Sequence, residues 1–282
     1  MKRFALVILI IVALLAACGP AATPTVAPTS LPPTETAVPP TATPAPRTLT
    51  VFAAASLTGA FQEIGKDFEA ANPGVTVALN FAGSQALRTQ IEQGAAVDVF
   101  ASADHKNMDT LVSENLVPSG YQDFATNLLV VILPPGNPAN LQALRDLAKP
   151  GLKLVLADAS VPAGNYSRQI LDNMSKDPAF GADFGKKVLA NVVSNETDVK
   201  SVVSKVDLGE ADAGIVYVTD ASAAPDLKTI PIPANFNVIA KYPLAALVKA
   251  PNADLAAAFV AYVLSPDGQA VLKKWGFSPA GQ

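Results

Sequence analysis

A single cysteine, Cys18, and a single histidine, His105, are all that this 282-residue chain offers toward thiol and imidazole chemistry. One cysteine cannot close a disulfide within the chain, and its place near the N-terminus leaves the folded part without a thiol nucleophile or a cysteine-ligated metal. One histidine in a polar stretch reads as a surface residue, and it leaves almost no material for a histidine metal site or a Ser-His-Asp triad. Charge is scarce too: 16% of residues are Asp, Glu, Lys or Arg, 20 basic against 24 acidic, with no basic run. Nucleic-acid binding, which needs a basic footprint, is opposed by that balance.

Apolar residues, by contrast, make up half of the chain, enough for the core of one large or two medium domains. Lys2 and Arg3 precede an unbroken apolar run over 4–17, the pattern of an export signal and short for a stable membrane span. The run ends in Leu15-Ala16-Ala17-Cys18, which resembles the bacterial lipobox. Residues 1–17 are therefore expected to be a lipoprotein signal peptide, with the lipid carried on Cys18. Its removal leaves 18 basic against 24 acidic side chains, a net charge of −6. From Gly19 to Pro46 the composition shifts to Pro, Thr and Ala, with nine prolines, one charge (Glu35) and no aromatic residue. Such a stretch cannot bury enough apolar surface to fold, so 18–47 reads as a disordered tether. Extended at about 3.1 Å per residue, it spans roughly 90 Å. The expected location is extracytoplasmic, in the periplasm or at the outer cell face.

Beyond the tether one grammar repeats: a short apolar strand, a small or polar turn, then an amphipathic helix. Strands are expected at 49–54, 75–81 and 97–101, with helices over 57–71, 85–93 and 106–114. A second set has strands at 128–133, 152–157 and 214–218 and helices over 165–174 and 198–206. A strand at 242–248 and an amphipathic helix over 252–264 close the chain. Alternation of this kind implies an α/β fold with largely parallel sheets. Two lobes are expected, 48–127 plus 240–282 and 128–239, with the chain crossing near Asn127 and Ala240.

In open parallel sheets, ligands sit beyond the carboxyl ends of strands, where helix N-termini converge. Four places put small or hydroxyl residues at such a start: Ser56 after the run Ala53-Ala54-Ala55, Ser84 after Gly83, Ala163-Gly164 within V-P-A-G-N-Y, and Val199 within N-E-T-D-V. Each end presents free backbone N–H groups and roughly half a positive charge, so four together offset a dianion without a buried Lys or Arg. Taken singly the signals are ordinary. Ser56 and Ser84 are favoured N-caps on structural grounds alone, Ala163-Gly164 is a plain loop, and Tyr217 at a strand end is a core aromatic with its hydroxyl at the rim.

The runs V-F-A-A-A-S-L-T-G-A-F, N-F-A-G-S-Q-A-L, D-V-F-A-S-A-D, V-P-A-G-N-Y and G-I-V-Y, in that order across residues 48–278, together resemble the molybdate-binding proteins of bacterial ABC importers. That resemblance implies a two-lobed type II periplasmic-binding fold, with two mixed, mainly parallel sheets and a tetrahedral oxyanion in the cleft between lobes. Carried onto this chain, it implies contacts to the oxyanion's oxygens from Ser56 and Ser84, backbone N–H donation at Ala163 and Val199, and the hydroxyl of Tyr217, with no direct ligation of the metal atom. It also implies delivery to an ABC transporter permease, no cofactor beyond the molybdate or tungstate ligand, a monomer, and no catalytic residue. Gly83 stands where many relatives carry serine, which leaves Ser84 as the donor there. Asp198 departs in spirit, because a carboxylate in that first turn competes with an anion unless it points away.

A site made only of donors suits molybdate and tungstate, which are fully deprotonated at neutral pH; phosphate keeps a proton and calls for a buried acceptor. Sulfate is also a pure acceptor and is refused only by size, so a sulfate- or other oxyanion-binding protein of the same fold stays open. An exported enzyme with Ser56 as nucleophile lacks the G-x-S-x-G surroundings and has His105 as its only histidine base. A structural or adhesive surface domain leaves the converging small residues unexplained.

Overall fold

The computed structural model describes residues 46–281. The signal expected over 1–17, the expected lipid site Cys18 and the expected tether through residue 45 lie outside the described residues. The last tether residue, Arg47, instead opens the first strand, and its guanidinium pairs with Asp254 at 2.6 Å.

In chain order, β1 (Arg47–Ala54) leads through a 3-10 turn (Ala55–Leu57) into α1 (Thr58–Ala71), β2 (Val75–Ala82) into α2 (Ser84–Glu92), and β3 (Val99–Ala101) into α3 (His105–Ser113), before β4 (Gln122–Asn127). A second run comprises β5 (Leu129–Leu133), β6 (Leu154–Ala157), α4 (Pro162–Ser175), α5 (Phe184–Ala190), β7 (Val192–Glu196), α6 (Val199–Asp207), β8 (Ala213–Tyr217), α7 (Val218–Ser222) and β9 (Lys228–Pro231). Then β10 (Ala240–Ala246), α8 (Ala253–Leu264) and α9 (Pro266–Lys274) complete it. The sequence grammar does not announce α9; its start is a Ser265 side-chain cap with Pro266 in the first turn.

Two five-stranded mixed sheets result, in the orders β2-β1-β3-β10-β4 and β7-β6-β8-β5-β9. Each has two parallel and two antiparallel pairings, so parallel pairing does not predominate as expected. The cause lies in the crossings. A strand leaving a lobe and a strand entering it at the same point must run in opposite senses. Thus β4 and β10 meet with Ala240 opposite Asn127, and β5 lies against β9 with Val130 opposite Pro231.

Strands covered on both faces read as continuous apolar runs. All five residues of β5, L-V-V-I-L, are buried, as are all four of β6. In α1, Phe61, Ile64 and Phe68 form the stripe that faces the sheet, and Phe61 and Phe68 meet Phe259 of α8 edge-on at 6.1 and 5.2 Å. Asparagines bind the crossings. The Asn237 carboxamide accepts from Leu129 N at 3.1 Å and donates to Leu129 O at 2.8 Å, while Asn127 Nδ2 donates to Thr219 Oγ1 at 2.8 Å.

Candidate functional site

β1 and β2 pair in register to their last residues, Ala54 opposite Ala82. The two following turns therefore begin at the same level of the sheet. Ser56 falls inside the 3-10 turn and Ser84 opens α2, and both are buried. In the other lobe, β6 delivers α4, β7 delivers α6, and β8 ends at Tyr217. These ends line one cavity: residues 54–56, 82–84 and Ala103 from the first lobe, 161–163, Val199 and Tyr217 from the second. Ser56, Ser84, Ala163, Val199 and Tyr217 are thus brought together, from stretches up to 161 positions apart, and the lining contains no charged side chain.

The small residues now have a physical reason. Ala54 and Ala55 are buried and form part of the wall, where a larger side chain would fill the space. Three of the four helical starts also lack a side-chain cap: the turn at Ala55, α2 after Gly83, and α4 after Val161. In α2 the Gly83 carbonyl accepts from Ala86 N and Leu87 N, so the Ser84 and Gln85 amides precede the first intrahelical bond. In α4 Pro162 has no N–H, and the first intrahelical bond comes from Asn165 N to Val161 O. That leaves the Ala163 amide as the first free donor of the helix. Buried helix starts without caps call for a polar guest.

The fourth start is capped, and this answers the concern about Asp198. It is the N-cap of α6, one residue before the helix rather than within it. Its Oδ1 accepts from Ser201 N at 3.0 Å and its Oδ2 from Ser201 Oγ at 2.9 Å. The carboxylate is thereby committed to Ser201, and the amide of Val199 remains outside that cap.

Hydroxyl directions are equally informative. Ser84 Oγ accepts from Ala103 N at 3.0 Å, so its own proton is free to point into the cavity. Tyr217, 1% exposed, has a hydroxyl with no partner among the described residues. Burial, with Tyr242 and Tyr166 nearby, pushes this phenol well above its ordinary range, so it stays a protonated donor. Ser56 Oγ lies 3.0 Å from the hydroxyl of Tyr242, a contact that nothing local in the sequence announced. Its two partners are 186 positions apart.

His105 is not part of this cavity. Its Nε2 lies 2.6 Å from Asp123 Oδ1, and its ring packs 5.7 Å from Tyr121. Across the cleft the lobes touch: Gln85 Nε2 donates to Thr197 O at 2.9 Å and Tyr166 hydroxyl to Ala103 O at 3.4 Å.

A family model for bacterial extracellular solute-binding proteins matches residues 49–278. The molybdate-binding protein ModA of Mycobacterium tuberculosis is 41% identical over 232 residues, covering 82% of this chain and 84% of the relative. The counterpart in Escherichia coli is 32% identical over 242 residues, covering 82% and 88%. Among solved structures, the substrate-binding domain of a putative molybdenum ABC transporter from Clostridium difficile is 30% identical with a TM-score of 0.61, covering 83% of this chain and 99% of that one. The periplasmic molybdate-binding protein of Azotobacter vinelandii shares the fold, with a TM-score of 0.70 at 22% identity over 81% and 98% of the two chains.

Proposed function

The chain belongs to the bacterial extracellular solute-binding proteins, within the molybdate-binding family, and on that footing we propose that it is a lipid-anchored receptor that captures molybdate or tungstate between its lobes. Ser56, Ser84 and Tyr217 donate from hydroxyls, and Ala163 and Val199 from backbone amides. Closure of the lobes around the anion is the signal passed to an ABC permease. The lobe boundaries near Asn127 and Ala240 act as the hinge, and Cys18 carries the lipid. The protein works as a monomer.

One observation carries this reading: uncapped helix starts from both lobes and the unpartnered Tyr217 hydroxyl face a single cavity whose lining has no charged side chain. Hydrogen bonds to a charged guest contribute about 1.5–3 kcal/mol each, net of the water they replace. A buried lysine is then unnecessary. Catalysis is not proposed, since the hydroxyl bonded to Ser56 is that of Tyr242 and the only histidine sits on Asp123.

Thermal denaturation with molybdate, tungstate, sulfate and phosphate tests the reading. A ligand at a hundred times its Kd stabilises by about 2.7 kcal/mol, a rise of roughly 5–10 °C for a domain of this size. Molybdate and tungstate are expected to give that rise, sulfate a smaller one at equal concentration, and phosphate none. A larger response to sulfate would reassign the protein to the sulfate-binding alternative. Ser56→Ala is expected to weaken molybdate binding by about 1.5–3 kcal/mol, tenfold or more, in titration calorimetry. Unchanged affinity would remove Ser56 from the site.

A further inference from the structure

Two side chains reach across the cleft, one from each lobe, and neither lines the cavity. Gln85, in the first turn of α2, donates from Nε2 to Thr197 O at 2.9 Å. Tyr166, one turn into α4, donates its hydroxyl to Ala103 O at 3.4 Å. Both acceptors are backbone carbonyls, which carry no proton, so the direction of each bond is fixed. For Gln85 this also fixes the carboxamide: its nitrogen faces Thr197, and Oε1 is left buried with no partner among the described residues. Burial pushes the phenol of Tyr166 up, so it keeps the proton it donates.

The two bonds are reciprocal. The first lobe holds the turn between β7 and α6, and the second holds the turn between β3 and α3. Each acceptor sits beside a donor of the proposed site. Thr197 comes two residues before Val199, and Ala103, whose oxygen meets Tyr166, gives its own N–H to Ser84 Oγ at 3.0 Å. The donors ride on helices whose starts also face the cavity, at Ser84 for α2 and Ala163 for α4. The bonds therefore fix the two sets of site donors against each other without contact to a guest. The Gln85 bond does not shut the cleft alone, because a buried acceptor without a partner costs about as much as one neutral hydrogen bond returns. Closure is complete when the guest adds its own bonds.

Resting on the proposed oxyanion site, we propose that Gln85 and Tyr166 are positioning residues that lock the closed lobes and set how long the guest stays. Which guest is held is decided by the donors at the cavity wall. The lock forms after encounter, so it acts on dissociation. It touches no guest, so it acts alike on every oxyanion.

Two variants test this. Tyr166→Phe keeps the ring and removes the hydroxyl, whereas Gln85→Glu keeps the shape and sets a carboxylate oxygen against Thr197 O. In stopped-flow kinetics the molybdate dissociation rate is expected to rise about threefold in the first and about tenfold in the second, with association within about twofold of wild type. The rates are read in about 1 M sodium chloride, where the added charge of Gln85→Glu is screened within about 3 Å. In calorimetry the Kd values for tungstate and sulfate are expected to rise by the same factor as that for molybdate. The melting temperature of the ligand-free protein is expected to stay put, since the open lobes do not make these bonds. Dissociation unchanged in both variants overturns the lock, as does a lowered ligand-free melting temperature, which marks a packing role, or an unequal effect among the oxyanions, which marks direct contact. If Gln85→Glu does not fold, the uncharged Tyr166→Phe decides. A wild-type protein that none of the three oxyanions stabilises would instead overturn the site, and the lock with it.

Discussion

Gly83→Ala is expected to lower molybdate affinity by one to two orders of magnitude while leaving the melting temperature of the ligand-free protein within a degree or two. Gly83 has φ −60° and ψ 138°, a conformation alanine adopts freely, and within the first lobe the added Cβ would meet only the movable end of the Gln85 side chain, 2.5 and 2.6 Å from its Oε1 and Nε2. The obstacle is in the other lobe. A Cβ at this position would lie 2.5 Å from the backbone oxygen of Thr197, which Gln85 also holds at 2.9 Å. Backbone cannot swing aside as a side chain does, so the lobes must stay apart by nearly an ångström. Overpacking of this degree costs about 1–3 kcal/mol, charged only to the closed state, and a closure cost appears in full as lost affinity. Glycine at this position thus trades a hydroxyl for close approach, which leaves the donor role here to Ser84. Calorimetry with a parallel thermal melt checks both halves. Wild-type affinity in the alanine variant would mean that binding does not use this closed contact.

What the sequence showed and what it concealed follows from how local each feature is. Ser56, Ser84 and Ala163 sit where an apolar strand gives way to a helix, a junction written within ten consecutive residues, whereas the strand before Val199, V-V-S-N-E, is half exposed and carries no apolar run. Within each lobe the rule that parallel strands end on the same side groups them, and the facing of the two lobes brings the groups to one cavity. V-P-A-G-N-Y looked like a loop because Pro and Gly punctuate it, yet Pro162 begins α4 and Gly164 lies in its first turn. Asp198 looked like a competitor for the anion because one residue of helix boundary decides whether a carboxylate is a cap or an intruder. Tyr242 could not be linked to Ser56 at all, since strand β10 reaches the first sheet only after the whole second lobe has been threaded. The antiparallel pairings were hidden for the same reason: they follow from where the chain crosses between lobes, not from any pattern within a strand.

Gly164→Ala is expected to act on the fold itself, lowering stability by about 3 kcal/mol or more and the melting temperature by roughly 6–12 °C. A Cβ here would overlap the carbonyl oxygens of Ala157 and Asp158 and lie 2.7 Å from the carbonyl carbon of Ala157. Those carbonyls cannot yield cheaply. Asp158 N is bonded to Glu196 O at 2.8 Å, Val161 N to Asp158 O at 3.0 Å, and Arg168 Nη1 joins Ala157 O and Gly164 O at 3.0 and 2.8 Å. The start of α4 is therefore clamped to the end of β6 on all sides, which is what holds the Ala163 amide at the cavity wall. If the helix start moves to admit a methyl group, that donor moves with it, so molybdate affinity falls along with stability. This distinguishes it from Gly83→Ala, where affinity falls alone. Gly120→Ala, with nothing within 4 Å of its Cβ, serves as the control in thermal melts and calorimetry. A Gly164→Ala protein that melts like the wild type would show that the first turn of α4 is not pinned as described, and the rigid placement of the Ala163 donor would fall with it.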